Sequence, residues 1–269
     1  MRGRGSADAW DSRVMATVGL LHPGEMGAAL GSALRRRSHD VLWASLGRSE
    51  TTSGRAQAAG LMDVGSVEAL AERSEVILSV CPPHAAREVS ALTAGAAGIF
   101  VDANAIAPAT ARAIEAGRGK SRFVDGGIIG PPPRESRTTR LYLSGIDAAV
   151  VAELFDGTPV DARVLSERIG DASALKMTYA AWTKGTAALL LAISAVAHAE
   201  GVQDPLVEEW RLSLPELPEA VERAARASAA KGWRWVGEME EIAATFAAAG
   251  LPDGFHRAAA EVFRRAPAE

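Results

Sequence analysis

Apolar residues follow two rhythms along this chain. Up to about residue 165, short β-branched and aliphatic runs alternate with segments whose apolar positions recur every three to four residues. The runs at 14–21, 40–44, 62–64, 75–80 and 98–102 predict five buried strands. Between them, 56–60, 66–73, 85–94 and 108–117 predict helices, with Ser66 and Pro108 at positions that suit helix starts. Strands alternating with helices imply βαβ units and a parallel sheet. Residues 123–125 and 141–144 predict two more strands around a Gly/Pro-rich loop at 126–133. Beyond Val164 the strand signal stops, and the rest reads as helix with breaks at Gly201, Pro205, Pro215, Pro218, Gly232 and Gly250-Leu251-Pro252. The expected fold class is therefore α/β: a doubly wound parallel sheet of the Rossmann type over 14–168, followed by an all-helical domain over 169–269. Residues 1–13 mix Arg2, Arg4, Asp8 and Asp11 with glycine and serine and predict a flexible tail.

The segment 171–200 is apolar around most of its circumference, so it predicts a helix buried on all sides or lying at a subunit interface. At 1.5 Å per residue it would be roughly 45 Å long, enough to join the two domains and help form a homodimer.

Six residues at the end of the first strand change the picture from architecture to chemistry. His22-Pro23-Gly24-Glu25-Met26-Gly27 follows an apolar run and opens a helical pattern in which Met26, Leu30, Ala33 and Leu34 form one stripe. Glycines at such a strand-to-helix turn let a pyrophosphate approach the backbone at Gly24, and let the helix pack close to its strand at Gly27 and Gly31. The free N–H groups of the first helical turn then face the negative charge. The usual spacing is glycine, any residue, glycine, two residues, glycine, and His22 occupies the first glycine position. An ordinary strand-to-helix turn would use the same residues, so the rest of the chain has to decide.

The end of the second strand commonly reads the ribose of a dinucleotide. An acid there suits NAD, whereas arginine and hydroxyl residues accommodate the extra phosphate of NADP. Ser45, Arg48 and Ser49 occupy this position and no acid occurs before Glu50, which favours NADP with NAD still open. Ligands of doubly wound folds lie beyond the carboxyl ends of the strands, so Cys81-Pro82-Pro83 and Asn104 should line the nicotinamide end. Asn104 reads equally well as a cofactor or substrate contact and as a cap for the helix at Pro108.

A third cluster, Gly170 to Lys176, opens the long helix. A lysine on an apolar helix is costly unless it is paired or its pKa falls, and a lysine with a lowered pKa can exchange protons with a substrate oxygen. Tyr179 and Thr183 lie three and seven residues on, which brings an ammonium, a phenol and a hydroxyl to one face. Lys184 is turned about 80° away and is expected at solvent or the cofactor edge. A domain-interface lysine paired with Asp171 or another acid is the alternative.

Composition narrows the classes. A formal charge of −4 with no basic block excludes a nucleic-acid binder from expectation. Five histidines scattered without ligand spacing argue against a metal site. One cysteine, Cys81, permits no internal disulfide and fits a reducing compartment, the cytoplasm. No run reaches the ~20 apolar residues of a membrane span.

Taken in order, the turn at His22–Gly27, the stretch Val101-Asp102-Ala103-Asn104 through Pro108, the segment at 123–132 and the cluster Gly170–Lys176 resemble the β-hydroxyacid dehydrogenase superfamily, which includes 6-phosphogluconate dehydrogenases, hydroxyisobutyrate dehydrogenases and imine reductases. The last hundred residues resemble a helical domain of undefined function in a less characterised branch. The resemblance implies NAD(P)-dependent hydride transfer to or from a small hydroxy or carbonyl compound, with Lys176 as general acid/base and the substrate loop at Ile129 and Gly130. Asn104 by its place after the fifth strand and Tyr179 by helical spacing are the further catalytic candidates, and Ile128, Ile129, Gly130 and Thr183 the expected substrate contacts. Two departures bear on the substrate. Ile129-Gly130-Pro131 stands where the hydroxyacid enzymes carry a serine and two glycines, and Tyr179-Ala180 replaces the asparagine that follows the lysine. A simple 3-hydroxyacid is thereby disfavoured, and Arg134, Arg137 or Arg140 are left as anion contacts. Imine reduction is the nearest rival, although imine reductases generally lack the lysine. A cofactor-binding sensor without turnover is the alternative from another class.

Overall fold

A computed structural model describes residues 15–134 and 138–266; the expected tail, Val14 and Arg137 lie outside them. All its strands fall between Thr17 and Ser166 and join in one eight-stranded sheet. In chain order they are β1 (Thr17–Leu21), β2 (Asp40–Trp43), β3 (Met62–Asp63), β4 (Val76–Ser79), β5 (Ile99–Asp102), β6 (Phe123–Ile129), β7 (Thr139–Ser144) and β8 (Val160–Ser166). The spatial order is β3-β2-β1-β4-β5-β6-β7-β8, and β1 to β6 run parallel. The order in which successive strands are added reverses at β1, with β2 and β3 on one side and β4 and β5 on the other, which opens a crevice above the carboxyl ends of β1 and β4.

The helices α1 (Glu25–Arg35), α2 (Glu50–Ala58), α3 (Val67–Arg73), α4 (Ala86–Ala91) and α5 (Pro108–Gly117) lie between the strands in sequence and cover the parallel part of this sheet. Leu30, Ala33 and Leu34 of α1 are buried as the stripe requires, in a core with Val18, Leu20, Val41 and Leu78. On the other face Leu70, Val89, Ala111 and Ile114 pack against Leu21, Leu42, Ile77 and Phe100. The two faces explain why strands such as Val76–Ser79 are buried at every position.

Three sequence expectations change here. Strand β6 continues to Ile129, because Gly126 and Gly127, read as loop residues, are points of close packing inside the strand. It pairs antiparallel with β7, and β7 pairs parallel with β8, so the sheet is mostly rather than wholly parallel. Strand β8 and the short helix α6 (Ala148–Glu153) were not expected from the pattern.

The rest is helical: α7 (Asp171–Ala199), α8 (Gln203–Ser213), α9 (Leu217–Ala248) and α10 (Gly254–Arg265). Pro205 and Pro218 sit in first turns, where a missing N–H costs nothing, and Gly232 lies inside α9 without breaking it. Met177, Ala180 and Ala188 of α7 form a second core with Met239, Ile242, Ala259, Ala260 and Phe263. Among the described residues, α7 alone is long and apolar enough to cross a membrane by length and composition; here it packs on β6, α9 and α10.

Candidate active site

His22 stands in the left-handed region at φ 66°, the conformation that a first glycine would adopt. Its carbonyl accepts the Gly24 N–H at 2.7 Å and closes the turn, and a Cβ on Gly27 would come within 2.6 Å of that carbonyl. Gly24 meets nothing within 4 Å, so this backbone faces open space. Gly24 caps α1 without any side-chain bond to the first turn, leaving the N–H groups of Glu25, Met26 and Gly27 directed outward. The Nδ1 atom of His22 is buried without a partner, and burial, with the Arg48 guanidinium nearby, lowers the imidazole to about 4. Ser45 and Arg48 lie on the loop after β2, and Ser49 accepts the Thr52 N–H as the cap of α2. Asp63, at the end of β3, holds this loop by accepting the N–H groups of Ser45 and Gly65, and those bonds keep its carboxyl low. Sequence reasoning missed this acid because it comes from a neighbouring strand.

Asn104 is neither a cap nor a free contact. Its Oδ1 accepts the Cys81 N–H at 2.6 Å, its Nδ2 donates to Ser79 Oγ at 3.1 Å, and its own N–H donates to Asp102 at 3.0 Å. These bonds tie the ends of β4 and β5 together. Pro82 and Pro83 follow as a stiff edge, and Pro83 opens a short 3-10 turn. Burial, and then the neighbouring Asp102, push the Cys81 thiol up to about 12, so it stays protonated and unreactive. Asp102 is wholly buried with Oδ2 unpartnered, and desolvation raises it to about 7.

Asp125 organises the next part of the site. Its carboxylate accepts Ser144 Oγ, the N–H groups of Gly170 and Ser173, and Ser173 Oγ, at 2.6–3.0 Å. A β6 carboxylate therefore satisfies the exposed donors at the start of α7. Gly127 lets the helix sit close, since a Cβ there would lie 2.7 Å from the Ala172 carbonyl and 3.1 Å from Lys176 Cβ. The seating delivers Lys176, whose Nζ donates to the Ile128 carbonyl at 2.8 Å. Desolvation, followed by the like charge of Lys184 and against the pull of Glu238, lowers Lys176 to about 8.

The other residues expected on this face are placed differently. Ile128 and Ile129 are buried in strand pairs with Leu141 and Arg140, so the continued ladder turns their side chains into packing and offers the Ile128 carbonyl instead. Gly130 is needed at φ 121°, where a Cβ would collide with the Thr138 carbonyl. Tyr179 and Thr183 remain on the exposed flank of α7, with the Thr183 hydroxyl bonded back to the Tyr179 carbonyl at 3.4 Å. Lys184 is largely turned away from solvent. It pairs with Glu238 of α9 at 2.7 Å, and only about a seventh of each side chain is exposed, 14% and 16%.

Helix α9 runs along the rim of the site. Lys231 faces Glu25 at 3.9 Å, Gly237 passes Pro83 at van der Waals distance, and Glu241 accepts Ala107 N–H and Thr110 Oγ1 at 2.6 and 2.9 Å, capping α5 from outside. Glu241 carries no local sequence signal, because its partners are more than a hundred residues away in the chain.

Comparison with known proteins gives this arrangement a lineage. Residues 197–266 match the family described as "Domain of unknown function (DUF1932)". A protein from Methanothermus fervidus, described as an uncharacterized 28.5 kDa protein in the 7S RNA 5' region, is 31% identical over 194 residues, covering 71% of this chain and 74% of that protein. A solved structure of a conserved protein of unknown function, described as similar to 3-hydroxyacid dehydrogenases, is 28% identical with a TM-score of 0.69, covering 93% of this chain and 96% of that one. The fold also matches Mycobacterium tuberculosis 3-hydroxyisobutyrate dehydrogenase, at 15% identity and TM-score 0.70 with 94% of each chain covered. It matches a reductive aminase from Aspergillus terreus in complex with NADPH, at 17% identity and TM-score 0.58 with 94% of each chain covered. The chain belongs to the family of the Methanothermus protein, a branch of the β-hydroxyacid dehydrogenase-like superfamily with a helical C-terminal domain.

Proposed function

We propose that this protein is an NADP-dependent oxidoreductase acting on a small hydroxy or carbonyl compound, with Lys176 as general acid/base. The observation that carries the reading is Lys176 itself: an ammonium held by one backbone carbonyl at 2.8 Å, desolvated to a pKa of about 8, in the superfamily's fold. A pKa close to neutrality suits a group that must both give and take a proton.

The residues at the turn fit a dinucleotide. Open space at Gly24, uncapped N–H groups of α1 and the orphaned Nδ1 of His22 offer donors for a diphosphate, and Ser45, Arg48 and Ser49 suit an additional phosphate. Bound there, the nicotinamide supplies or accepts the hydride. In reduction, the Lys176 ammonium turns from the Ile128 carbonyl to the substrate oxygen and delivers its proton as the carbonyl carbon gains hydride, leaving a neutral amine and a hydroxyl. In oxidation the neutral amine takes the hydroxyl proton. Asn104 acts on this step only by fixing Cys81 and the prolines that follow it.

The test uses purified protein, NADPH and a panel of aldehydes and ketones. Lys176→Ala is expected to lower turnover by about 10²–10⁴-fold with NADPH affinity retained. The reduction rate is expected to fall as pH rises through about 8, because the donor is the ammonium. Turnover of cyclic imines but not carbonyls, or full activity of the alanine variant, overturns the reading. The same proposal includes a homodimer built on the exposed face of α7.

A further inference from the structure

The ion pair between Lys184 and Glu238 has no place in the hydride-transfer scheme, yet it joins the helix of the proposed proton donor to the C-terminal region. Two turns separate Lys184 from Lys176 on α7, and Glu238 reaches in from α9. Both members are largely buried at 2.7 Å, an arrangement that is costly to maintain without a purpose in the fold or the site. The neighbouring helix contacts do not need it: Met177, Ala180, Met239 and Ile242 already form a continuous apolar seam between α7 and α9.

The surroundings of Lys176 contain few other charges. Strand β6 presents the Ile128 carbonyl, and its Asp125 is consumed by Ser144, Gly170 and Ser173. Asp102 on β5 is turned to the Asn104 N–H. Arg112 of α5 lies at Gly170, the opening of α7, beside Asp171. Helix α10 faces α7 with Phe255, and its buried His256 packs on Phe246. Lys184, two turns on along α7, and Glu238, held to it at 2.7 Å from α9, are thus the charged pair whose field reaches the Lys176 ammonium.

We propose that Glu238 and Lys184 are positioning residues for Lys176, so that a carboxylate from the helical C-terminal region and a second lysine together set the field in which the proton is exchanged. The inference rests on the reading of Lys176 given above. It gives the C-terminal helices a part in the chemistry, through α9, beyond covering the cleft. The opposite effects of the two neighbours, a lysine that disfavours the ammonium and a glutamate that favours it, agree with this geometry.

The experiment reads the protonation of Lys176 directly, without a substrate. Full-length protein is labelled competitively with acetic anhydride across pH 6 to 11, and the modified Lys176 peptide is quantified by mass spectrometry. Glu238→Gln is expected to move the labelling midpoint down by about one pH unit, and Lys184→Met to move it up by a similar amount. Glu238→Asp, which keeps the charge, should stay near the wild type. Shifts in opposite directions support the proposal. An unchanged midpoint in both variants, or shifts in one direction, overturns it, since a purely structural pair would loosen the site in the same sense whichever member is removed. If the midpoints shift as expected while NADPH-linked turnover keeps the wild-type pH profile, Lys176 is not the proton donor and the ion pair's effect on it stands.

Discussion

At His22 a motif position visible in the sequence meets a backbone conformation that only the structure shows. The sequence places it where a dinucleotide turn begins with glycine, and the backbone there adopts φ 66° as glycine would. A side chain in that region costs about 1–2 kcal/mol relative to its relaxed conformations. The imidazole adds a buried Nδ1 with no partner. Comparing two truncations separates backbone from side chain: His22→Gly is expected to be about 1 kcal/mol more stable to urea than His22→Ala, because both remove the ring and only glycine accepts the positive φ freely. Equal stabilities would mean that the turn relaxes to a negative φ once the ring is gone. Lys176 stands out in the sequence as a cation on an apolar helix, and the structure buries it with its Nζ on the Ile128 carbonyl. Asn104 was legible as important but not in kind: an amide can cap, bind or brace, and only the positions of Ser79 and Cys81 show that it braces.

At the level of elements, the clearest lesson is the junction of β6 with α7. Asp125 takes four hydrogen bonds from Ser144, Gly170 and Ser173, and these bonds set the height at which Lys176 emerges. Asp125→Ala would leave the Gly170 and Ser173 donors buried and unpaired, so a loss of about 3 kcal/mol or more in unfolding free energy is expected. Urea denaturation measures it, and a loss under about 1 kcal/mol would show that α7 is seated by its apolar contacts alone. The sequence pattern made β1 to β5 and their helices readable because each strand is apolar and each helix carries a stripe. It failed where a different requirement governed composition. Gly126 and Gly127 resemble a loop because close packing of α7 leaves no room for side chains. Strand β8 reads as loop because it is an edge strand whose residues, among them Asp161 and Arg163, are mostly not buried, a composition that protects an edge from pairing with another chain. Gly232 looks like a helix break, yet α9 runs through it with the Phe263 ring about one methyl away, where a small residue lets α10 approach.

For the molecule as a whole, α7 carries more apolar surface than one chain covers. Trp182, Leu189 and Val196 are 74%, 46% and 63% exposed, and their spacing of seven residues puts them on one stripe about 21 Å long. Tyr179 continues that stripe toward the site. Beside it an apolar groove of about 490 Å³ runs between α7, α9 and α10, lined by Leu191, Ala195, Ala225 and Val262. A heptad-spaced seam on a 29-residue helix is the geometry with which helices pair, and a second copy of the same helix offers a matching surface. The charge on these side chains is nil, so association through this face should depend little on salt. Sedimentation velocity at micromolar concentration is expected to show a dimer, and Trp182→Glu with Val196→Glu to give a monomer whose circular dichroism is unchanged. Both substitutions lie on the exposed stripe, so the folded protomer has little to lose from them. A monomeric wild type, or a dimer that survives both glutamates, would place the interface elsewhere and leave the apolar face of α7 to another partner.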